Sequence, residues 1–188
     1  MDHFDAVDVP HAEFERRLRL VRGDQWADPT PCPEWTVRDL VNHVVSAPRT
    51  YALLVNGCSR EEASGDLGAE ALGDHPLAAF LHHDEALHHA FRRPGALERV
   101  CMHPMGDVPG ALLLRARGTE GAIHTWDLAR AIGADEHLDP GLVDHALRHL
   151  IDMSEVFVEA GAIAPPTGPT DESVEPQTRM LRLAGRDP

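Results

Sequence analysis

Glu120 and His124 stand four residues apart in a stretch, 118–132, whose composition reads as helix. At about 100° per residue the two side chains leave one face, a turn apart. Leu113, Ala116, Ile123, Leu128 and Ala131 project within roughly a right angle of the pair, so that face belongs to a core. A carboxylate and an imidazole in an apolar stripe are costly to bury unpaired. A divalent metal completed by a third ligand from another helix is the most economical explanation, and His43 is the candidate. The rival is a core carboxylate–imidazole hydrogen bond that needs no ion. Small neighbours (Gly118, Gly121, Ala122, Ala129, Ala131) suit a helix placed centrally in a bundle, where metal sites of such folds are built.

Thirteen histidines make accidental pairs expected, so each group is judged by its face. His145 and His149 have a zinc-like spacing. Leu142, Val143, Ala146, Leu147, Leu150, Phe157 and Val158 mark the other side of their helix as buried, which predicts both histidines in solvent. His82, Glu85 and His89 share an outward face. Asp84 and His88 fall among Leu77, Phe80, Leu81, Leu87 and Phe91. They read as a buried hydrogen-bonded pair, with orientation of a ligand imidazole or direct ligation as the alternatives. Arg117 and Arg130 lie within two turns of the ligands and read as surface or ion-pairing arginines, or as contacts for an anionic substrate. Asp127 is placed either to orient an imidazole or to pair on the helix surface. Cys32, in a Pro-Cys-Pro turn, reads as a packed structural cysteine rather than a reactive one.

These residues need rods to carry them. Asp8 and Pro10 open a first helix over about 10–22. The segment 28–35, with three prolines in six residues, is a stiff loop. Thr36 caps a second helix, with Asp39 completing a capping box, and Gly57 ends it. His43 lies on the shoulder of that helix's apolar stripe, and Pro48 within it predicts a kink or an early end. Residues 58–74 read as a surface loop. A third helix runs from Pro76 to about 93, and a short edge-like hairpin centres on Met105-Gly106-Asp107. A fourth helix covers about 110–132, a fifth about 140–160 and a short amphipathic one about 176–184. The class is all-α, a four-helix bundle with a short hairpin before the fourth helix and a short C-terminal helix. Residues 1–163 make the helical metal-binding domain, and 164–188 a proline-rich linker with a docked tail helix.

Composition removes several functions. The net charge of −14 argues against nucleic acid and anionic membrane as partners. No apolar run approaches the ~20 residues needed to span a bilayer, and the N-terminus lacks a signal peptide's pattern, so a cytoplasmic location is expected. Three scattered cysteines form neither a disulfide framework nor a zinc knuckle. All 17 basic residues are arginine, which excludes Schiff-base chemistry, pyridoxal phosphate attachment and a lysine-bearing phosphate loop.

The string from Asp24 through Pro31-Cys-Pro-Glu-Trp35 to His43, with Glu120-x-x-x-His124-Thr-Trp-Asp-Leu-Ala-Arg-Ala, resembles the DinB-like metal-binding family. That group is similar to the N-terminal domain of mycothiol-dependent maleylpyruvate isomerase. The closing segment 171–188 also matches the C-terminus of its uncharacterised actinobacterial members. The resemblance implies a four-helix bundle holding one divalent metal, zinc in the first instance and nickel as the alternative, on His43, Glu120 and His124. It implies activation of a low-molecular-weight thiol, mycothiol as cosubstrate, for transfer or isomerisation on a small electrophile. The isomerase carries a further C-terminal domain that helps form its substrate site. Here a linker and short helix stand in that place, which argues against maleylpyruvate itself.

Three readings follow. Three protein ligands leave a metal position open, as in a catalytic centre, and favour the thiol-dependent enzyme. A hydrolase using bound water would need a base other than Glu120. A non-enzymatic metal-binding or sensing module would close the site with a fourth ligand, Asp84 or His88. A homodimer is compatible with each.

Overall fold

A computed structural model of the protein describes residues 2–66 and 68–188. Among them it has helices α1 (Asp5–Leu18), α2 (Val37–Asn56), α3 (Arg60–Asp66), α4 (Pro76–Phe91), α5 (Gly110–Ile132), α6 (Pro140–Glu159) and α7 (Pro176–Leu183). Strands β1 (Val100–His103) and β2 (Gly106–Pro109) pair antiparallel, with Cys101 opposite Val108. No helix of the described residues is long and apolar enough to cross a membrane.

Helices α1, α5, α2 and α4 pack in that cyclic order as a four-helix bundle; α6 lies against the outer side of α5, and α7 packs on α6. Local chemistry sets the ends of the rods. The Thr36 side chain accepts from the Asp39 N–H while Asp39 accepts from the Thr36 N–H, a complete capping box, and left-handed Gly57 ends α2 (φ 95°). Gly133 ends α5 in the same way (φ 68°). The Asp139 carboxylate accepts from the Gly141 and Leu142 N–H groups at the start of α6.

The first helix starts earlier than the Asp8–Pro10 signal predicts. The Asp2 carboxylate accepts from the Phe4 and Asp5 N–H groups, so the first turn is capped there and Pro10 sits inside α1. Residues 60–66, expected as loop, form the short helix α3. Pro48 neither ends nor shortens α2, which runs through it to Asn56.

The bundle's apolar interior is split. One cluster gathers Val7, Leu54, Leu87, Phe91 and Leu113, and the other Phe14, Leu40, Val44, Phe80 and Leu128. Between members of the two clusters, three of the four rods carry polar residues: His11 on α1, Asp84 on α4, and Arg117, Glu120 and His124 on α5. A third cluster, with Trp126, Leu142, Leu150, Met180 and Leu181, joins α5 to α6 and α7.

Two glycines let α5 sit centrally. A Cβ at Gly118 would stand 2.2 Å from the Ala6 carbonyl oxygen, and one at Gly121 would stand 2.9 Å from Pro10 Cβ. The close approach of α1 to α5 therefore depends on the missing side chains.

Candidate metal centre

The three residues singled out by spacing meet where α2 crosses α5. His43 Nε2 lies 2.6 Å from Glu120 Oε1. The His43 and His124 rings stand edge to face, 5.0 Å between centroids. One ligand atom from each of His43, Glu120 and His124 falls within 4.8 Å of the others. Trp35, from the proline-rich loop, covers both imidazoles at centroid distances of 4.9 and 6.0 Å. The cluster is not sealed, since the His43 and Glu120 side chains are 24% and 18% exposed. Solvent reaches both side chains.

Behind His124 the polar groups form a chain. His124 Nδ1 lies 2.9 Å from Asp127 Oδ2, which leaves Nε2 as the free ring nitrogen. Asp127 is fully buried and accepts two charged hydrogen bonds from Arg186, Nε at 2.9 Å and Nη2 at 2.8 Å. Burial alone would raise the Asp127 pKa. The hydrogen bonds with His124 and Arg186 outweigh it and hold the carboxyl down at about 2. Burial also lowers the His124 pKa against the opposing pull of Asp127, which keeps the imidazole in the neutral form a metal ligand requires.

Glu120 is held from the other side. Proline at position 48 has no N–H to give the Val44 carbonyl one turn back. Arg117 fills that vacancy: its Nη2 donates to Val44 O at 3.0 Å, while Nη1 stands 3.1 Å from Glu120 Oε2. Burial would raise the Glu120 pKa, but Arg117, His43 and His124 together bring it well below the ordinary carboxylate range. Arg117 itself is wholly buried, so between the surface and ion-pairing readings the sequence offers, it takes the ion-pairing one.

The residues present fit a divalent cation. Two imidazoles and a carboxylate are a normal donor set for zinc and its neighbours. Glu120 Oε2 is buried without a hydrogen-bond donor in geometry, despite the nearby Arg117 charge. An ionised carboxylate oxygen in that state keeps lone pairs that a cation can fill.

Residues 8–129 match the family described as the mycothiol maleylpyruvate isomerase N-terminal domain. The chain belongs to that family. Uncharacterized protein Rv0738 of Mycobacterium tuberculosis strain H37Rv is 36% identical over 142 residues, 76% of this chain and 74% of that protein. Its counterpart in strain CDC 1551, uncharacterized protein MT0763, aligns to the same extent. The crystal structure of the mycothiol-dependent maleylpyruvate isomerase superposes with TM-score 0.66, covering 86% of this chain and 73% of that one at 19% identity. A mutant of that enzyme gives 0.65 at 18% identity. At such identities the structural likeness speaks for the fold, which is the DinB-like helical bundle.

Within this family member, two sequence readings need revision and a third holds with added partners. Cys32 is a packed cysteine, yet it has close polar company: its thiol donates to Asp127 Oδ2 at 3.3 Å and lies 3.2 Å from Arg186 Nη2. Burial and the Asp127 charge, against Arg186, push the thiol up to about 12, so it stays protonated and inert. His149 is buried, not solvated, and its Nδ1 lies 2.8 Å from Thr119 Oγ1. It stands seven residues after Leu142, about 20° off the same helical line, so the signal was present in the α6 pattern. Asp84 and His88 group with His11 of α1, away from the triad. The late start predicted for the first helix leaves Val7 out and so hides the line Val7–His11–Phe14–Leu18.

Arg186, in the tail, is the functional-region residue that no spacing argument reaches. Arg130 does pair at the surface, with Glu136, and stacks over Trp126. A groove of about 690 Å³ opens beside it, lined by Pro29, Pro31, Trp126, Thr167 and Arg186, and by none of the triad.

Proposed function

We propose that this protein is a metal-dependent enzyme that activates a low-molecular-weight thiol of the mycothiol type for transfer or isomerisation on a small electrophile. His43, Glu120 and His124 are the metal ligands in this reading. Zinc is the first choice of metal, with nickel next. The observation that carries it is the convergence of His43 and Glu120 across two helices, beside a His124 whose second nitrogen is already committed to Asp127.

A divalent metal with an open position lowers the pKa of a bound thiol and holds the thiolate as a nucleophile. The chain's own residues do the rest. Asp127 fixes the His124 ring so that Nε2 points outward, and Arg186 fixes Asp127. Arg117 keeps Glu120 ionised and still. Trp35 screens one side of the imidazoles from water. Cys32 is excluded as the nucleophile by its high pKa, so the reacting thiol comes from outside. Arg186 also lines the neighbouring groove, so a ligand lying there touches the residue that orders Asp127.

The family relationship supports the thiol, since the solved relative is named for its dependence on mycothiol. A closed, non-catalytic site would recruit Asp84 or His88 as a fourth ligand. Both group with His11 instead, which favours an open metal position. The testing experiment is metal content and thiol-dependent turnover of wild type beside His43→Ala and Glu120→Ala. Both variants are expected to lose the metal equivalent held at the triad and all thiol-dependent turnover. Full metal in both would overturn the ligand assignment. Metal binding with no rate above background across a panel of thiols and electrophiles would leave a sensing module.

A further inference from the structure

We propose that Asp8, His11, Asp84 and His88 form a second divalent-cation site, tying α1 to α4. The donors come as Asp8-x-x-His11 on one rod and Asp84-x-x-x-His88 on the other, spacings that put each pair on one helical face. The two faces meet. His11 Nδ1 contacts Asp84 Oδ1, His88 Nε2 lies 2.9 Å from Asp8 Oδ1, and it lies 3.6 Å from Asp84 Oδ1. One atom each from His11, Asp84 and His88 lies within 4.8 Å of the others. Ligand atoms around a tetrahedral zinc stand roughly 3.3 Å apart, a closure that rotamer adjustment at the half-buried His88 and Asp84 supplies.

The setting argues for a cation as well. The cluster lies between the two apolar halves of the bundle, with Val7 and Leu87 towards one and Phe14 and Phe80 towards the other. His11 is 4% exposed and fixed edge-on against Phe80 at 5.6 Å. Two carboxylates, one part-buried and one at the rim, gathered on two imidazoles carry negative charge that a divalent ion neutralises. Asp8 is 47% exposed and provides the way in. Two imidazoles with two carboxylates select a first-row ion such as zinc, cobalt or nickel over magnesium or calcium. This site shares no ligand with the triad and does not depend on it.

The test is a titration of chelator-stripped protein with Co(II), read by visible absorption and by metal content. Wild type is expected to take up two equivalents. The double variant His43→Ala/Glu120→Ala is expected to keep one, and that equivalent raises its thermal midpoint. His88→Gln, on the accessible rim where folding is least at risk, is expected to weaken the second equivalent by roughly tenfold or more and to leave the first unchanged. Asp84→Asn in addition abolishes it. The proposal is overturned if the triad double variant binds no metal, or if its remaining equivalent is unaffected by His88→Gln. If wild type binds a single equivalent that His88→Gln removes and His43→Ala does not, this site stands and the triad assignment falls.

Discussion

Two histidine–carboxylate clusters occupy the middle of this bundle, one where α2 meets α5 and one where α1 meets α4. Each draws a pair of ligand-type residues from one face of a helix and completes itself from a neighbour. They differ in what stands behind the donors. His124 has Asp127 on its second nitrogen, with Arg186 behind that, and Glu120 has Arg117. His11 has no partner on Nε2. The difference teaches that donor identity is local, whereas donor orientation depends on remote segments. The α2–α5 centre is pre-arranged by a loop and a tail, while the α1–α4 cluster has only its own members to orient it.

Arg117 is the shared element, and its replacement should have the largest effect on that contrast. Its charge acts on Glu120 on one side and on His11 and Asp84 on the other. Arg117→Met leaves the Val44 carbonyl and the Glu120 carboxylate buried without their partner. We expect a loss of about 3–5 kcal/mol in urea unfolding and weaker metal binding at the triad. An unchanged midpoint would show that the guanidinium holds nothing in place.

Asp127→Asn separates the two regions more sharply. Loss of the oriented imidazole should weaken metal at the triad by roughly 10- to 100-fold and leave the α1–α4 site untouched, as read by competition with a chromophoric chelator. Equal weakening at both would mean that the substitution acts through the fold.

His149 supplies the control for a buried imidazole whose hydrogen-bond partner is a hydroxyl, Thr119, rather than a carboxylate. Burial, then Arg115, bring its pKa down to about 4, against an ordinary 6.5. The unfolded chain therefore takes up this proton first as pH falls. The stability His149 confers is whole above pH 6.5 and is lost progressively as pH drops towards 4. It amounts to on the order of 3 kcal/mol. His149→Leu should flatten the dependence of the urea midpoint on pH across that window; an unaltered slope would refute the burial argument.

The smallest effect is expected at Cys32. With its thiol at about 12, Cys32→Ser should change stability by under about 1 kcal/mol and leave thiol-dependent turnover at the wild-type level. Loss of turnover with the fold intact would reinstate it as a reacting group.

Much of this architecture is legible residue by residue. The Thr36/Asp39 box, the stops at Gly57 and Gly133 and the Asp139 cap each act over a few residues, and the structure has each of them. Glu120 and His124 share a face because helical pitch dictates it, and His43 could be named because it flanks an apolar stripe. His11 escaped for an equally local reason: the Asp2 cap draws the first helix back past Asp8, which places Val7 and His11 on one line.

The order of the rods, their ends and the positions of the ligand-type residues along them follow from the chain's own short-range chemistry. What required the folded molecule is which partners these residues meet. Arg117 reaches a carbonyl freed by Pro48 on another helix, 73 residues away by way of Val44. Arg186 reaches Asp127 across 59 residues. A buried charge is kept only where a complementary group arrives in three dimensions, and neither helical periodicity nor capping encodes that arrival.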